Sequence, residues 1–296
     1  QPAGYYGNDE VTTIREHVER ALNYLFNSRG KNGLVLIRGG DWLDGLEGLN
    51  KLGEATSVWL TIAAFHAQNL MAEIYDQIGD ADFAALMRKR SAEYKHYVNT
   101  VGWNGKWYSY AIINDTEIVG GPDCLEGKIY LNPQTWAIFT GIADEDKYDK
   151  LMRAINVYLT TPVGPLLMAP PYVITDRYGR LQKQRPGTFA NSAVYLHGAS
   201  FKVFADIKRG AWNEAYDTFM RIIPNHVDNP DSRRTNEPYA VGNVHYGTAH
   251  QCTGLNLYSW FSATPAWLIH GGFEEILGVH PEFNGLRITA ADIDGW

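Results

Sequence analysis

Helical periodicity dominates the hydrophobic pattern of this 296-residue chain. Apolar side chains that recur every three or four residues mark one face of an amphipathic helix. One such stripe covers 11–25 and stops near Gly30. A second covers 59–74 and ends at Gly79; it is apolar on all sides and is therefore expected to be buried. Further helices are predicted over 83–97 and at about 146–159, 193–208, 210–222 and 264–277, the last opening with Thr264 as the capping residue and Pro265.

The segments that read as strands are short and lie between the helices, at 34–37, 106–112 and 172–174. They do not alternate with helices as a parallel sheet requires, and no glycine-rich phosphate loop follows them. Two connections, 162–190 and 224–258, are too long to be simple links and are rich in polar and aromatic residues. The pattern predicts an array of helices with ordered loops over a site at one end, such as a toroid of helical hairpins.

Composition limits the possible partners. The net charge of -7 and the scattered basic residues exclude a nucleic acid or an anionic membrane surface as the expected partner. No apolar run approaches the ~18–20 residues that a membrane-spanning helix needs. Two cysteines form no disulfide framework and suit a reducing compartment, which favours a cytoplasmic location. Nine Trp and eighteen Tyr exceed what a core needs and leave several for a carbohydrate cleft.

The segment Gly39 to Gly45 carries the most specific chemistry. Asp41 and Asp44 flank Trp42 and Leu43 in a glycine-bracketed loop. Burial beside apolar side chains and a second carboxylate nearby both favour the protonated acid. A flat aromatic face for a pyranose and an acid to protonate the departing oxygen are what glycoside cleavage requires. The structural alternative is an acidic turn that caps the next helix.

Three other places have both a structural and a functional interpretation. His197, at the start of an apolar helix, is either a satisfied structural residue or a donor to an anion. The segment from Ser259 to Pro265 is either a simple helix cap or a pocket of hydroxyls and backbone amides for an anion. Glu237 and Tyr239 belong either to a plain turn or to a carboxylate-bearing substrate contact.

Metal and serine-nucleophile motifs are missing from the sequence. The nine histidines never fall at HxxxH or HExxH spacing, and there is no CxxC pair. A GxSxG nucleophile elbow is also missing. We therefore expect no metal and no serine hydrolase triad.

Several segments, in order, resemble the glycoside phosphorylases of glycoside hydrolase family 94, which include cellobiose and chitobiose phosphorylases. Any one of the segments is a weak match, but the ordered set is specific and spans about 40–288. The matching segments are Gly40 to Asp44, Tyr130 to Trp136, Arg185 to Gly187, Val194 to His197, Glu237 to Tyr239, Ser259 to Trp267 and Ile276 to Ile288.

The resemblance implies a mainly α fold, an (α/α)6 barrel with short strands and long loops over the site. Residues 1–280 would form the C-terminal part of the barrel, and 281–296 would start a C-terminal β-layer. The implied reaction is reversible, inverting phosphorolysis of a β-linked gluco-oligosaccharide or related disaccharide, releasing an α-sugar-1-phosphate. Inorganic phosphate would be the co-substrate, and no cofactor is expected.

The resemblance also implies roles for individual residues. The second Asp of the family's DWND motif, its general acid, falls on Asp44. Because phosphate is itself an anionic nucleophile, an anion site can replace the base that an inverting hydrolase needs. The predicted sugar contacts are Trp42, Asp41, Glu237, Tyr239 and Gln134. The predicted phosphate contacts are His197, Ser262, Ala263 and Asn243.

The chain departs from the family pattern at three places. Leu43 replaces the usual Asn, Ser262 and Ala263 replace a Thr-Gly pair, and Phe189 and Ala190 stand where cellobiose-type members carry Lys-Glu at the acceptor site. The family's N-terminal sandwich and first half-barrel do not match this chain. The expectation is a fragment, a proteolytic product or one chain of a split enzyme, with the N-terminal half as partner and a homodimer implied by the resemblance.

Two alternatives remain open. The first keeps the barrel but makes the reaction inverting hydrolysis, with Glu237 or Glu47 activating water. The second is a non-catalytic, sugar-binding half-barrel that needs a partner chain.

Overall fold

The structure, a computed structural model, describes residues 12–173, 177–224, 235–237, 239–289 and 291–294, and within them the chain is mainly helical. The helices are α1 (Ile14–Asn27), α2 (Val58–Gln77), α3 (Ala81–Tyr97), α4 (Leu131–Phe139), α5 (Tyr148–Tyr158), α6 (Leu196–Lys208), α7 (Trp212–Ile222) and α8 (Thr264–His270). A π-helical turn follows α3 at Val98–Gly102 and another follows α8 at Gly271–Ile276. Short 3-10 turns lie at Asp44–Leu46, Leu49–Lys51, Glu145–Lys147 and Arg180–Lys183.

The predicted helices are confirmed, with three differences. Thr264 is the first residue of α8 and not its cap, and the Ser262 hydroxyl accepts a hydrogen bond from its N–H at 3.1 Å. A short strand occupies the first residues predicted for α6, which begins at Leu196. Helix α4 was not predicted. The first residue of the stripe at 11–25 lies outside the described residues.

Side-chain caps fix the starts of the first three helices. Thr13 and Glu16 form a reciprocal capping box at α1. The Ser57 hydroxyl accepts the Leu60 N–H at α2, and the Asp80 carboxylate accepts the Phe83 N–H at α3. Each cap satisfies a backbone donor that a helix leaves without an internal partner.

The strands are short and pair in antiparallel fashion. They are β1 (Val35–Leu36), β2 (Ala55–Ser57), β3 (Ala111–Ile113), β4 (Glu117–Val119), β5 (Ile129–Tyr130), β6 (Met168–Ala169), β7 (Val194–Tyr195), β8 (Gly242–His245), β9 (Asn256–Ser259), β10 (Val279–Glu282) and β11 (Gly285–Ile288). One sheet has the order β1-β2-β3-β4 and another the order β7-β8-β9; β5 pairs with β6, and β10 with β11.

The strand predictions are only partly confirmed. The segment predicted at 34–37 contains β1, whereas the one predicted at 106–112 only overlaps β3, which covers Ala111–Ile113. Tyr172 and Val173 are not in a strand, and Ile174 lies outside the described residues. The connection 224–258, predicted as a loop, contains β8 and the first three residues of β9.

The helices α2, α4, α6 and α8 pack side by side, and α3, α5 and α7 cover α2, α4 and α6 respectively. One aromatic side chain from each member of the row contacts the next. The ring centroids of Trp59 and Trp136 are 5.3 Å apart, those of Trp136 and Phe201 are 5.4 Å apart, and those of Phe201 and Trp267 are 4.8 Å apart. Edge-to-face pairs of this kind add ~0.5–1.5 kcal/mol each beyond area burial.

A buried ion pair within α6 also contacts α7. The Lys202 ammonium donates to Asp206 at 2.5 Å and to the Thr218 hydroxyl at 3.0 Å, and the Asp206 side chain is fully buried. Burial raises the pKa of Asp206, and the Lys202 charge opposes that rise.

At the C-terminal end, β10 and β11 form a hairpin with Val279 opposite Ile288. Strand β10 crosses the boundary predicted between 280 and 281, and the proposed division into a barrel and a β-layer stays a prediction. None of the helices formed by the described residues has the length and apolar character to cross a lipid bilayer.

Candidate active site

The loop that follows β1 is anchored by Asp41. Its carboxylate accepts hydrogen bonds from the Ser57 hydroxyl at 2.6 Å, the Tyr110 hydroxyl at 2.5 Å and the Leu43 N–H at 2.9 Å. Burial raises the pKa of Asp41, and these three hydrogen bonds oppose the rise. The apolar setting that the sequence predicted for the acid of this loop is therefore found at Asp41.

The sugar contact predicted for Asp41 stays a prediction. Both carboxylate oxygens are used by donors of the protein itself, one of which, Ser57, also caps α2. The carboxylate fastens the loop to the start of α2 and to the strand that carries Tyr110. Its role in the structure is to hold the loop.

Asp44 is exposed, with 74% of its side-chain surface accessible, and it forms an ion pair with Arg180. The reasoning that Trp42 and Leu43 would shield it is wrong, because Leu43 is buried among Leu46 and Leu49 while Asp44 begins a 3-10 turn on the solvent side. The assignment of Asp44 as general acid stays a prediction.

The Trp42 ring packs against the residues that follow β7. Its centroid lies 5.1 Å from that of Tyr195, 5.4 Å from that of His197 and 6.1 Å from that of Phe201. The indole N–H donates to Nδ1 of His197 at 3.2 Å. Trp42 therefore connects the loop of Asp44 to His197, and its predicted contact with sugar stays a prediction.

His197 is half-buried, and burial lowers its pKa from 6.5 to about 4. The imidazole is therefore neutral at neutral pH. Because Nδ1 accepts from Trp42, the ring proton resides on Nε2. Nε2 is itself buried and has no hydrogen-bond partner in the protein. An unpaired buried N–H is costly unless a ligand accepts from it, so His197 can serve as a neutral donor to an anion.

The four residues predicted to contact phosphate line one cavity of about 470 Å³. The cavity is lined by Tyr195, His197, Asn243, Trp260, Phe261, Ser262 and Ala263. The sheet β7-β8-β9 brings them together, since His197 follows β7, Asn243 lies in β8 and Ser262 follows β9. Pairing of Tyr195 with Val244 and of Gly242 with Ser259 sets the register.

Tyr195 connects this cavity electrostatically to Asp44. Burial raises the pKa of the Tyr195 hydroxyl, a hydrogen bond with Asn243 lowers it, and the charge of Asp44 adds to the rise. Asp44 thus lies within range of a charge interaction with Tyr195, which borders the cavity.

The predicted sugar contacts Glu237 and Tyr239 both contact Trp260, which lines the cavity. The Trp260 indole N–H donates to Glu237 at 3.2 Å, and the Tyr239 and Trp260 ring centroids are 5.8 Å apart. Two hydrogen bonds lower the pKa of Glu237: one from the Glu237 backbone N–H and one from the Trp260 indole N–H. Pro238, between them in the sequence, lies outside the described residues. Both side chains border the site, and their roles stay predictions.

Gln134, a predicted sugar contact, is fully buried. Its amide NH2 donates to the Tyr108 carbonyl at 2.8 Å and the Tyr130 carbonyl at 2.9 Å, and its carbonyl accepts the Tyr108 N–H at 2.9 Å. The Gln134 side-chain amide connects α4 to the segment before β3, and both of its N–H bonds are already donated. Gln134 thus has a structural role, and its predicted contact with sugar stays a prediction.

Arg180 is the residue at the site that the sequence did not predict. It is 136 positions from Asp44, and no spacing pattern indicates such a pair. Its pKa is raised by the hydrogen bond to Asp44. Trp260 and Phe261 were within a matched segment but had no assigned role. In the described part of the chain, no three His, Cys, Asp or Glu side chains cluster closely enough to hold a metal ion.

Comparison with known proteins decides the family. A sequence model described as "Glycosyl hydrolase 94 superfamily, catalytic domain" matches 4–278. The chain belongs to this family. This match confirms the family that the sequence segments around Asp44, His197 and Ser262 predicted.

Three relatives of this family 94 domain are named as phosphorylases. It is 35% identical to solabiose phosphorylase of Paenibacillus borealis, over 98% of this chain and 38% of that protein. It is 33% identical to 3-O-beta-D-glucopyranosyl-beta-D-glucuronide phosphorylase of the same organism, over 99% and 38%. It is 29% identical to cellobionic acid phosphorylase of Neurospora crassa, over 98% and 37%. The chain thus spans about two-fifths of the length of these relatives.

A solved structure named "Sialidase" shares the fold of this family 94 domain. The TM-score is 0.67 over 96% of this chain and 26% of the other, at 12% sequence identity. At that identity the likeness concerns the fold alone.

Proposed function

We propose that this domain carries the phosphate site and the general acid of an inverting β-glycoside phosphorylase that acts on a β-linked glucoside and releases an α-sugar-1-phosphate. The observation that carries the proposal is the shared cavity, to which three separate segments bring His197, Asn243 and Ser262. The relatives named above, all phosphorylases, support the same reaction class.

The donors around the cavity suit a phosphate anion. Nε2–H of the neutral His197 has no partner in the protein, the Asn243 amide reaches the cavity, and Ser262 contributes a hydroxyl. The first turn of α6 has no side-chain cap, so its backbone N–H groups add to the positive potential beside His197.

In the proposed reaction, phosphate held by these donors attacks the anomeric carbon of the sugar. Asp44 gives a proton to the departing glycosidic oxygen. Inversion places the two groups on opposite faces of the sugar ring. Asp44 must separate from Arg180 for its carboxyl group to reach that oxygen.

We also propose that the row of α2, α4, α6 and α8 forms part of a closed (α/α)6 barrel. Both end helices carry exposed apolar side chains, such as Leu70 on α2 at 46% and Ile269 on α8 at 61%. Burial of these side chains by further helices would complete the inner wall. A homodimer and a cytoplasmic location stay predictions of the family resemblance and of the composition.

The test replaces Asp44 by Asn in the full-length protein. We expect phosphorolysis to fall by roughly 10²–10⁴-fold, since an amide cannot donate the proton. The melting temperature should hardly change, because the pair with Arg180 is exposed. The measurement is sugar-1-phosphate release from β-linked glucose disaccharides.

A matched control is Asp115→Asn. Asp115 is exposed on a turn with φ of 58°, a conformation that Asn also tolerates, and the variant should keep full activity. Near-normal turnover of the Asp44 variant would remove Asp44 from its role. Release of free sugar without phosphate would instead support the hydrolase, with Glu237 or Glu47 as base, and no turnover together with sugar binding would support the non-catalytic alternative.

A further inference from the structure

Arg180 interacts with two carboxylates that belong to one turn. Its guanidinium pairs with Asp44, and its backbone N–H donates to Oε1 of Glu47 at 3.2 Å. Asp44 is the first residue of the 3-10 turn Asp44–Leu46, and Glu47 follows that turn directly. The hydrogen bond to Asp44 and the charges of Asp44 and Glu47 raise the pKa of Arg180. Glu47 is therefore already within range of a charge interaction with the guanidinium.

The second carboxylate oxygen of Glu47 is not used by the protein. Oε2 is buried, and no described residue donates a hydrogen bond to it. A buried carboxylate oxygen without a donor costs free energy, and a charged donor removes that cost. Arg180 carries such a donor, and its backbone N–H already binds the other oxygen of the same carboxylate.

The glycine before Arg180 allows this close approach. Gly179 has a φ angle of 131°, in a region that side-chain-bearing residues rarely adopt. A Cβ atom at Gly179 would lie 2.7 Å from Oε2 of Glu47 and 2.7 Å from the Gly45 carbonyl oxygen. The backbone that carries Arg180 thus lies directly on the turn of Asp44. The Arg180 side chain itself is exposed, so it can change partner while its backbone stays in place.

The proposed reaction requires such a change of partner. A general acid must carry its proton before the glycosidic bond breaks. Arg180 opposes this, because a cation beside a carboxyl group favours the anion. Asp44 is exposed, so burial does not offset the effect of the cation. The arrangement in the structure therefore corresponds to an ionised Asp44, and Arg180 needs another acceptor.

The other ionisable groups around the acid offer no comparable acceptor. Tyr110 and Tyr195 interact with its charge, and burial raises the pKa of both hydroxyls, which keeps them neutral. Asp41, in the same loop, has both oxygens occupied by donors of the protein. Lys183, on the 3-10 turn that begins at the arginine, carries the same sign of charge. Among these groups, Glu47 is the carboxylate with an oxygen left to accept the guanidinium.

We propose that Glu47 is a positioning residue whose carboxylate takes the Arg180 guanidinium and thereby releases Asp44 to carry the proton. The proposal rests on the proposed function, which takes Asp44 as the general acid. Once Arg180 has left, Asp44 takes up a proton from water and gives it to the departing oxygen. Glu47 acts through Arg180 and needs no contact with sugar or phosphate.

The experiment measures kcat as a function of pH in the full-length protein, with saturating phosphate and β-linked glucose disaccharide. Activity that depends on a protonated acid is lost as the pH rises. Glu47→Gln keeps the acceptor for the Arg180 N–H but loses the charge, so Arg180 stays on Asp44. We expect the alkaline midpoint of kcat to move down by roughly one pH unit, which makes turnover above it about tenfold lower.

A double variant separates this role from a direct effect of the Glu47 charge. Arg180→Met keeps an unbranched side chain without a charge. When Glu47→Gln is combined with it, no guanidinium holds Asp44 as an anion, and the alkaline midpoint should return at least to the wild-type value. A direct effect of the Glu47 charge on Asp44 would instead persist in the double variant.

Glu126→Gln is the matched control. Glu126 is half-buried like Glu47, and it also accepts one backbone N–H at 3.2 Å, that of Val173. The carboxylates that act on Arg180 are Asp44 and Glu47, so the control should keep the wild-type pH profile. The KM for phosphate should be the same in the wild type, the control and Glu47→Gln.

Three results would overturn the proposal: an unchanged alkaline midpoint in Glu47→Gln, a shift that persists in the double variant, or loss of turnover at every pH in Glu47→Gln. Failure of the proposed function is distinguishable, because it appears in the wild type as turnover without phosphate. The same profiles, measured on free sugar, then still test Glu47, since inverting hydrolysis needs an acid as well. A wild type with no turnover of either kind would overturn both proposals.

Discussion

Two carboxylates three positions apart in one loop have opposite surroundings. Asp41 is half-buried and accepts from Ser57, Tyr110 and a backbone N–H, whereas Asp44 is exposed and pairs with Arg180. The difference follows from the direction of the chain, because Leu43 enters the core and the 3-10 turn then directs Asp44 outward. One carboxylate holds the loop, and the other is left available for chemistry.

Replacing Asp41 by Asn should therefore destabilise the protein. The amide nitrogen cannot accept the hydrogen bond of Ser57 or Tyr110, and one buried donor would lose its partner. We expect the free energy of unfolding to fall by ~1–3 kcal/mol. Urea unfolding followed by circular dichroism checks this, and an Asp41→Asn protein as stable as Asp44→Asn would contradict the anchoring role.

His197 should make stability depend on pH. Its folded-state pKa of about 4 lies below the ordinary value of 6.5, so between these values the unfolded chain binds a proton that the folded chain does not. Stability is therefore complete above pH 6.5 and is lost as the pH falls toward 4. After allowance for its partial exposure, we expect a loss of roughly 1 kcal/mol.

The measurement compares urea unfolding across this pH range in the wild type and His197→Gln. The difference between the two proteins should shrink as the pH falls, because the variant lacks the group that is destabilised by acid. His96→Gln, at an exposed position of α3, is the control and should follow the wild type. A difference that does not vary with pH would contradict the burial of a neutral His197.

The structure brings together the residues that the family resemblance assigned to phosphate, whereas the surroundings of Asp44 differ from those that the sequence predicted. His197, Asn243 and Ser262 were predicted from short segments, and the structure brings them to one cavity. The environment of Asp44 could not be predicted, because which of two neighbouring carboxylates is buried depends on the direction of one turn. Arg180 contacts Asp44 only through tertiary packing.

At the scale of elements, two loops meet with no space for a side chain between them. The segment of Tyr178 and Gly179 lies on the loop that begins at Asp44, and the Gly48 N–H donates to the Tyr178 carbonyl at 2.8 Å. A Cβ atom at Gly48 would lie 2.6 Å from the carbonyl carbon of Tyr178. This close backbone approach positions Arg180 beside Asp44.

We expect Gly48→Ala to separate the two loops. Its methyl group would meet backbone atoms, which cannot rotate away, so the free energy of unfolding should fall by roughly 1–3 kcal/mol. Turnover should fall as well, because the loop of Asp44 shifts. The control is Gly39→Ala, where a Cβ atom has nothing within 4 Å. Equal stability and activity of both variants would show that the contact does not matter.

The sequence did not predict α4, β8 and β9 because none of them shows the hydrophobic pattern typical of its element. Almost every side chain of α4 is buried, including Asn132 and Gln134, so no polar face produces a helical period. Strands β8 and β9 are four residues each and contain Gly242 and Asn256, residues that are more typical of turns. Pairing of β8 with β7, which is distant in sequence, and of β9 with β8 decides their conformation.

At the scale of the whole molecule, the inner row of helices has two edges. Trp59, Trp136, Phe201 and Trp267 connect α2 to α8 through continuous aromatic contacts. Beyond that row, Leu70 and Ile74 on α2 are 46% and 42% exposed, and Ile269 and Phe273 at α8 are 61% and 59% exposed. Exposed apolar side chains of this kind mark a surface that packs against another part of a protein or a partner. Both ends of the row are therefore expected to pack against further helices.

The 296-residue chain, produced alone, should therefore associate as its concentration is raised. Tyr216, Phe219, Leu268 and Phe273 line an apolar groove of about 470 Å³ beside α8, so that edge should contribute most. Ile269→Glu combined with Phe273→Glu should shift the chain toward monomer, because a charge at each position opposes burial of the edge. Sedimentation velocity measures the shift, with Leu125→Glu as the control, since Leu125 is 88% exposed outside both edges. A chain that stays monomeric at every concentration, with or without the substitutions, would show that these edges need no cover and would remove the support that they lend to a closed barrel.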